Sequence, residues 1–175
     1  MKVSVLRLDH RQYRDKRMTT HVALSARSLG ASDFYYSGDF DLSLEETITD
    51  IVSRWGGKFK ISFNDKPQQI IKSWDGIKIH LTMYGENHQD TIQTLKKYPN
   101  ENILLIVGGA KVPRYIYSLS DFNTAIGWQP HSEVAALSIF LFQLLGSDKL
   151  YEQNSNAKMN IKMGNSKSTR SGKFL

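Results

Sequence analysis

An α/β fold built on a parallel sheet is what this sequence predicts, from three observations. Apolar strand-like runs alternate with helix-periodic segments, which calls for crossover connections between strands. The run Ile103-Leu104-Leu105-Ile106-Val107 is apolar at every position, as a strand covered on both faces must be. With 175 residues, 40% of them hydrophobic, the chain suits one sizeable core.

The elements follow in order. Lys2 to Leu8, rich in Val and Leu, reads as a short buried strand entering a basic loop. From Thr20 the apolar residues Val22, Ala26 and Leu29 fall at helical spacing, with a threonine as cap and Gly30 as terminator. Ser43-Leu44-Glu45-Glu46 is a capping-box pattern opening a helix through Ile48, Ile51, Val52 and Trp55, closed by Gly56-Gly57. Phe59 to Phe63 and Ile70 to Trp74 look like two strands joined across Asn64-Asp65-Lys66-Pro67, so residues 58–74 predict a protruding β-hairpin insertion. Ile77, Ile79, Leu81 and Met83 alternate as a strand, Ile92 and Leu95 mark a short helix, and the apolar run at 103–107 ends in Gly108-Gly109. Tyr115 to Leu119 and Phe122 to Ile126 read as further strands. A long helix runs from Ser132 to Leu145, apolar nearly all round and closed by Gly146.

Lysine and arginine total 23 against 17 acidic residues, a net charge of +6 that favours a polyanionic partner. Arg7, Arg11, Arg14, Lys16 and Arg17 crowd one segment, and Lys158, Lys162, Lys167, Arg170 and Lys173 mark a tail that has no acid after Glu152. Both segments could grip phosphates; a solvated loop and an unstructured tail are the alternatives, and for the tail the two readings stand level. The absence of cysteine leaves no disulfide or thiolate metal site. No apolar stretch approaches a secretory or membrane-spanning segment, which predicts a soluble cytoplasmic protein without membrane association.

Several chemistries are excluded by pattern. The first strand runs into a segment with no glycine, unlike a dinucleotide-binding turn. Lys111 lacks the spacing and the following hydroxyl of a P-loop. The histidines His10, His21, His80, His88 and His131 form no ligand pair on a helix, so no metal is expected. Ser132 and His131 are adjacent in sequence, which is wrong for a nucleophile and its base; Ser132 more simply caps a helix.

Four blocks then act together: Arg14 to Arg27 (Arg-Asp-Lys-Arg-Met-Thr-Thr-His-Val-Ala-Leu-Ser-Ala-Arg), His80 to Gly85, Val107 to Pro113, and Ile126 to Leu137 with Gly127-Trp128-Gln129-Pro130-His131-Ser132-Glu133. In order and spacing they resemble the archaeal tRNA cytidine 2'-O-methyltransferases of the SPOUT superfamily, across most of residues 1–146. That resemblance implies a parallel sheet with a carboxyl-terminal trefoil knot, a homodimer, S-adenosylmethionine as methyl donor, and tRNA as substrate, methylated on the ribose of cytidine 56 in the T-loop. Carried over by motif, the cofactor loops are Leu81 and Thr82; Gly108, Gly109, Ala110, Lys111 and Val112; and Ile126, Gly127, Trp128, Gln129, Pro130, His131, Ser132 and Glu133. The expected organisation is a methyltransferase domain at 1–146 followed by a basic extension at 147–175.

Methyl transfer from a sulfonium needs alignment of the attacking oxygen and help with its proton. The resemblance implies an arginine near the first strand–helix junction, which makes Arg14 and Arg17 the candidates. A guanidinium stays protonated, so it acts with the substrate phosphate or by stabilising the developing alkoxide. Two other readings remain: a related ribose methyltransferase acting on another RNA, and a nonenzymatic RNA-binding protein.

Overall fold

The computed structural model describes residues 1–109, 111–161 and 170–171. Strand β1 (Lys2–His10) leads through helix α1 (Lys16–Ser28) to β2 (Asp33–Gly38), then α2 (Leu42–Trp55) to β3 (Lys60–Phe63). The chain continues through α3 (Pro67–Ser73), β4 (Ile77–Asn87), α4 (His88–Leu95), β5 (Asn102–Val107), α5 (Arg114–Leu119), β6 (Phe122–Ala125) and α6 (Glu133–Leu145). One six-stranded sheet, in the order β3-β2-β1-β5-β4-β6, has every neighbouring pair parallel.

Period-two alternation sorts the central strands between two cores. Val3 and Val5 of β1 and Ile103, Leu105 and Val107 of β5 pack with α1, α2, α4 and α6 on one face. Leu6, Leu8, Leu104 and Ile106 pack with Ile71 of α3 and Ile116 of α5 on the other. Both faces are therefore covered, as the unbroken apolar run at 103–107 requires. Helix α6 buries Leu137, Phe140, Leu141 and Leu144, begins on Ser132, whose hydroxyl accepts from the Ala135 amide at 3.2 Å, and ends at Gly146.

The expected hairpin at 58–74 is not what forms. Lys60–Phe63 pairs in parallel with β2 inside the sheet, and the second half is helical. Pro67 stands in the first turn, where its missing N–H costs nothing, and Ile70, Ile71 and Trp74 share one side of a turn packed on Leu104 and Ile106. Residues 115–119, read as strand, are likewise helix α5, with Ile116 buried between Tyr115 and Leu119. Helix α1 starts at Lys16 rather than after Thr20, and α2 is capped by Asp41, whose carboxylate accepts from the Leu44 amide at 3.1 Å, in place of the Ser43 capping box.

Beyond a 3-10 turn at Asp148–Tyr151, the chain crosses the end of α2. The Lys158 and Met159 amides both donate to the Arg54 carbonyl at 2.9 Å, and the Asn154 side chain donates to the Trp55 carbonyl at 3.2 Å. These are carbonyls a helix end leaves without partners. Two short strands, β7 (Asn160–Ile161) and β8 (Arg170–Ser171), pair antiparallel. Of the basic tail, Lys162, Lys167 and Lys173 lie outside the described residues.

Replacing Ile71 by alanine should cost about 2–5 kcal/mol, whereas Lys72→Ala, on the exposed side of α3, should stay within about 0.5 kcal/mol. Urea denaturation measures both; equal effects would contradict the helix.

Candidate active site

In a parallel sheet the strands' carboxyl ends lie along one edge, and here the irregular stretch within β4 and the loops after β5 and β6 converge there with the start of α6. They enclose a cavity of about 400 Å³. Of the predicted cofactor residues, Leu81, Thr82, Gly108, Gly109, Val112, Ile126, Gln129, Pro130, His131, Ser132 and Glu133 line it. Lys111, Gly127 and Trp128 do not, and Ala110 lies outside the described residues. Trp128 is 72% exposed. A larger cavity of about 690 Å³, between the ends of α1 and α2 and the segment 149–161, gathers none of these residues.

The cavity has its shape for local reasons. Leu81 and Glu86 both oppose Thr124 of β6, so residues 82–85 leave the ladder, and Thr82, Met83 and Tyr84 form one wall. Gly85 permits the return: a Cβ there would lie 2.4 Å from the Thr124 amide nitrogen. Gly127 turns the opposite wall at φ +71, and the His131 Nε2–H donates to the Ile126 carbonyl at 2.7 Å, closing that loop on itself. His131 is thus a loop tie.

His80, Met83, Tyr84, Val107, Tyr117, Thr124 and Ala136 also line the cavity and were not predicted. Tyr117 was hidden by reading α5 as a strand; its hydroxyl bonds to Thr82 Oγ1 at 3.1 Å. His80 is fully buried, edge-on to the Tyr117 ring at 4.7 Å. Asn123 donates through Nδ2 to the Tyr117 carbonyl, which leaves its Oδ1 to accept from His80 Nδ1–H at 3.0 Å. The imidazole then has its proton on Nδ1. Burial pushes its pKa below the ordinary value, against the raising effect of that hydrogen bond.

Arg14 and Arg17 are exposed and do not line the cavity. Arg14 lies in the turn before α1 and Arg17 in the first turn of that helix, whose N-cap residue is Asp15. The Arg11 Nε–H donates to Asp15 at 2.9 Å, and this bond holds the Asp15 carboxyl below its usual range. The two exposed arginines can attract a phosphate, but within one chain they do not line the cavity. Among the described residues no three His, Asp or Glu side chains gather as a metal site would need, and none of the helices is long and apolar enough to span a membrane.

This layered parallel sheet with a loop cavity at its carboxyl edge is the fold of SpoU-type methyltransferases. The SpoU methyltransferase AviRb from Streptomyces viridochromogenes, solved with AdoMet, superposes with a TM-score of 0.61 at 14% identity, covering 82% of this chain and 57% of that one. The A. aeolicus TrmH/SpoU tRNA modifying enzyme gives 0.59 at 17% identity, covering 82% and 73%.

Sequence comparison is narrower. The family model for tRNA ribose 2'-O-methyltransferase, aTrm56, matches residues 55–170. Proteins described as tRNA (cytidine(56)-2'-O)-methyltransferase are 47% identical in Pyrococcus horikoshii, over 91% of this chain and 79% of that protein, and 46% identical in Thermococcus kodakarensis, over 91% of each. A Methanopyrus kandleri relative of the same description is 47% identical, over 90% and 89%. The chain belongs to the aTrm56 family of tRNA ribose 2'-O-methyltransferases.

Because the folded pKa of His80 is depressed, the unfolded chain takes up that proton first as pH falls. The stability tied to neutral His80 should be complete above its ordinary value of 6.5 and decline progressively below it. Urea midpoints of the wild type between about pH 7 and 5 should fall more steeply than those of His80→Gln; parallel curves would refute it.

Proposed function

We propose that this chain transfers the methyl group of S-adenosylmethionine to the ribose 2'-hydroxyl of cytidine 56 in the T-loop of tRNA. The observation that carries the proposal is the convergence in one cavity of Leu81 and Thr82, of Gly108, Gly109 and Val112, and of Ile126 and Gln129 to Glu133, from three segments separated in sequence. About 400 Å³ is within the range of small-molecule sites, and the mix of apolar walls, loop glycines and a carboxylate suits a cofactor with an adenine and a cationic sulfonium. When bound, the cofactor supplies an already activated methyl carbon.

What the chain must add is alignment and charge. Leu81, Val112, Ile126 and Pro130 supply apolar walls to the cavity, and Gly108 and Gly109, having no side chain, let a ligand approach the backbone there. Arg14 and Arg17 are assigned to the phosphate beside the target ribose, where a fixed cation stabilises the oxygen as its proton leaves. They lie outside the cavity of their own chain, which favours a site completed by a second copy. An apolar surface on α6 supports that copy, since Ile139 and Phe142 are 40% and 44% exposed on a helix otherwise packed with large apolar side chains. A homodimer, the trefoil knot, a domain at 1–146 with a basic extension at 147–175, and a cytoplasmic location complete this reading.

Purified protein, unmodified tRNA transcript and methyl-labelled S-adenosylmethionine should give label at cytidine 56, mapped by nuclease digestion; label confined to other RNAs would overturn the substrate. Arg14→Ala and Arg17→Ala should retain cofactor binding, and at least one should lower turnover by about 100-fold, the scale of a lost charge-stabilising group. Full activity in both would refute their role. Phe142→Asp should shift the mass by light scattering from dimer to monomer; an unchanged mass would place any dimer contact elsewhere.

A further inference from the structure

Arg7 stands in a run of basic residues, and on that ground it groups with Arg11 and Arg14 as a phosphate ligand. The fold puts it elsewhere. Its side chain is 2% exposed, at an inward position of β1 that continues the row of Val3 and Val5. Nη1 donates to the Leu8 carbonyl at 2.5 Å and to the Gly108 carbonyl at 2.9 Å, while Nη2 lies 3.5 Å from Glu133 Oε1. Burial is the largest influence on this guanidinium and lowers its pKa; the charge of Glu133 opposes that, followed by Asp15 and Asp9.

A buried cation is costly, and the apolar neighbours Leu6 and Leu8 satisfy the packing of the same strand without one. What arginine adds is reach, with a rigid fork that touches three separate segments: β1, the loop after β5, and the first turn of α6. Gly108 and Glu133 both line the cavity, and Arg7 does not. Glu133 is 32% exposed, and among the described residues it would keep only the helix end as its positive partner without Arg7. We infer that Arg7 is a positioning residue: from behind the wall it fixes the Gly108 loop and the Glu133 carboxylate in the arrangement the cofactor needs, and so governs cofactor affinity rather than RNA affinity. The inference rests on the cavity being the S-adenosylmethionine site.

The test is calorimetric titration with S-adenosylhomocysteine of the wild type, Arg7→Lys, Arg7→Met, Glu133→Gln and the Arg7→Met/Glu133→Gln double variant, alongside ligand-free thermal midpoints. Arg7→Met should weaken binding by about tenfold, with Arg7→Lys intermediate, and the double variant should lose less than the sum of its parts, the mark of two groups acting together. Affinity for tRNA at saturating cofactor, and its dependence on salt, should not change, because no phosphate contact is lost. A core variant, Ile48→Val, controls for stability alone. Cofactor affinity within about twofold of wild type in the folded Arg7 variants, an equal loss in Ile48→Val, or a salt slope reduced by about one would overturn the inference. Should Arg7→Met not fold, Arg7→Lys decides by the same criteria. A wild-type protein that binds no S-adenosylhomocysteine overturns the cofactor reading itself, whereas unaffected Arg7 variants overturn only this one.

Discussion

A parallel sheet covered on both faces offers its loops one shared place to meet, the edge where its strands end. That constraint begins with β5, whose alternate residues enter two different cores. With helices on either side there is no open face for a ligand, and the predicted cofactor residues that share a cavity gather at the carboxyl edge. Apart from Tyr117 of α5, the residues that line the cavity lie at that edge or at the start of α6 above it. The position of the site is thus a consequence of burial and connectivity before it is a matter of chemistry.

Crossing from β1 to that edge is a charge. The Arg7 guanidinium is among the largest fully buried side chains, and its polar partners are two carbonyls and a half-buried carboxylate. Among the described residues its Nε has no partner, a cost the surrounding packing must offset. Nearby, at the carboxyl end of β1, His10 bonds Thr19 at 2.8 Å and lies 3.4 Å from Asp41, which also caps α2. Two buried polar groupings therefore flank the root of the arginine loop, one toward the cavity and one toward α2, so the loop springs from a rigid base even though its tip is exposed.

Much of this was legible in the residues. The unbroken apolar run at 103–107 announced a strand covered on both faces, the broad apolar surface of residues 133–145 announced a helix needing cover on several sides, and the blocks at 81–82, 108–112 and 126–133 supplied eleven residues that line the cavity. The failures share one cause. Ile70-Ile71 and Tyr115-Ile116-Tyr117 are β-branched or aromatic residues in segments of seven and six residues, too short for helical periodicity to outweigh β propensity. Tertiary packing on Leu104 and Ile106 decided for helix. Arg7 was misgrouped because neighbouring charges in sequence suggested a common surface, yet the row Val3, Val5, Arg7 already placed it inward. No pattern could have disclosed that Arg14 and Arg17 stand outside their own chain's cavity.

The four residues by which β4 departs from and rejoins β6 have a meaning beyond wall-building. Since pairing resumes at Glu86 and Asn87 with the same partner strand, the sheet's register is insulated from whatever Thr82, Met83 and Tyr84 become. Met83 and Tyr84 are exposed at the cavity's rim, and the hydrogen bonds on either side of them do not depend on their identity. A scaffold of this kind can change what it presents to an incoming RNA while its framework stays fixed; variation is confined to an arch, and the arch has its own foundations.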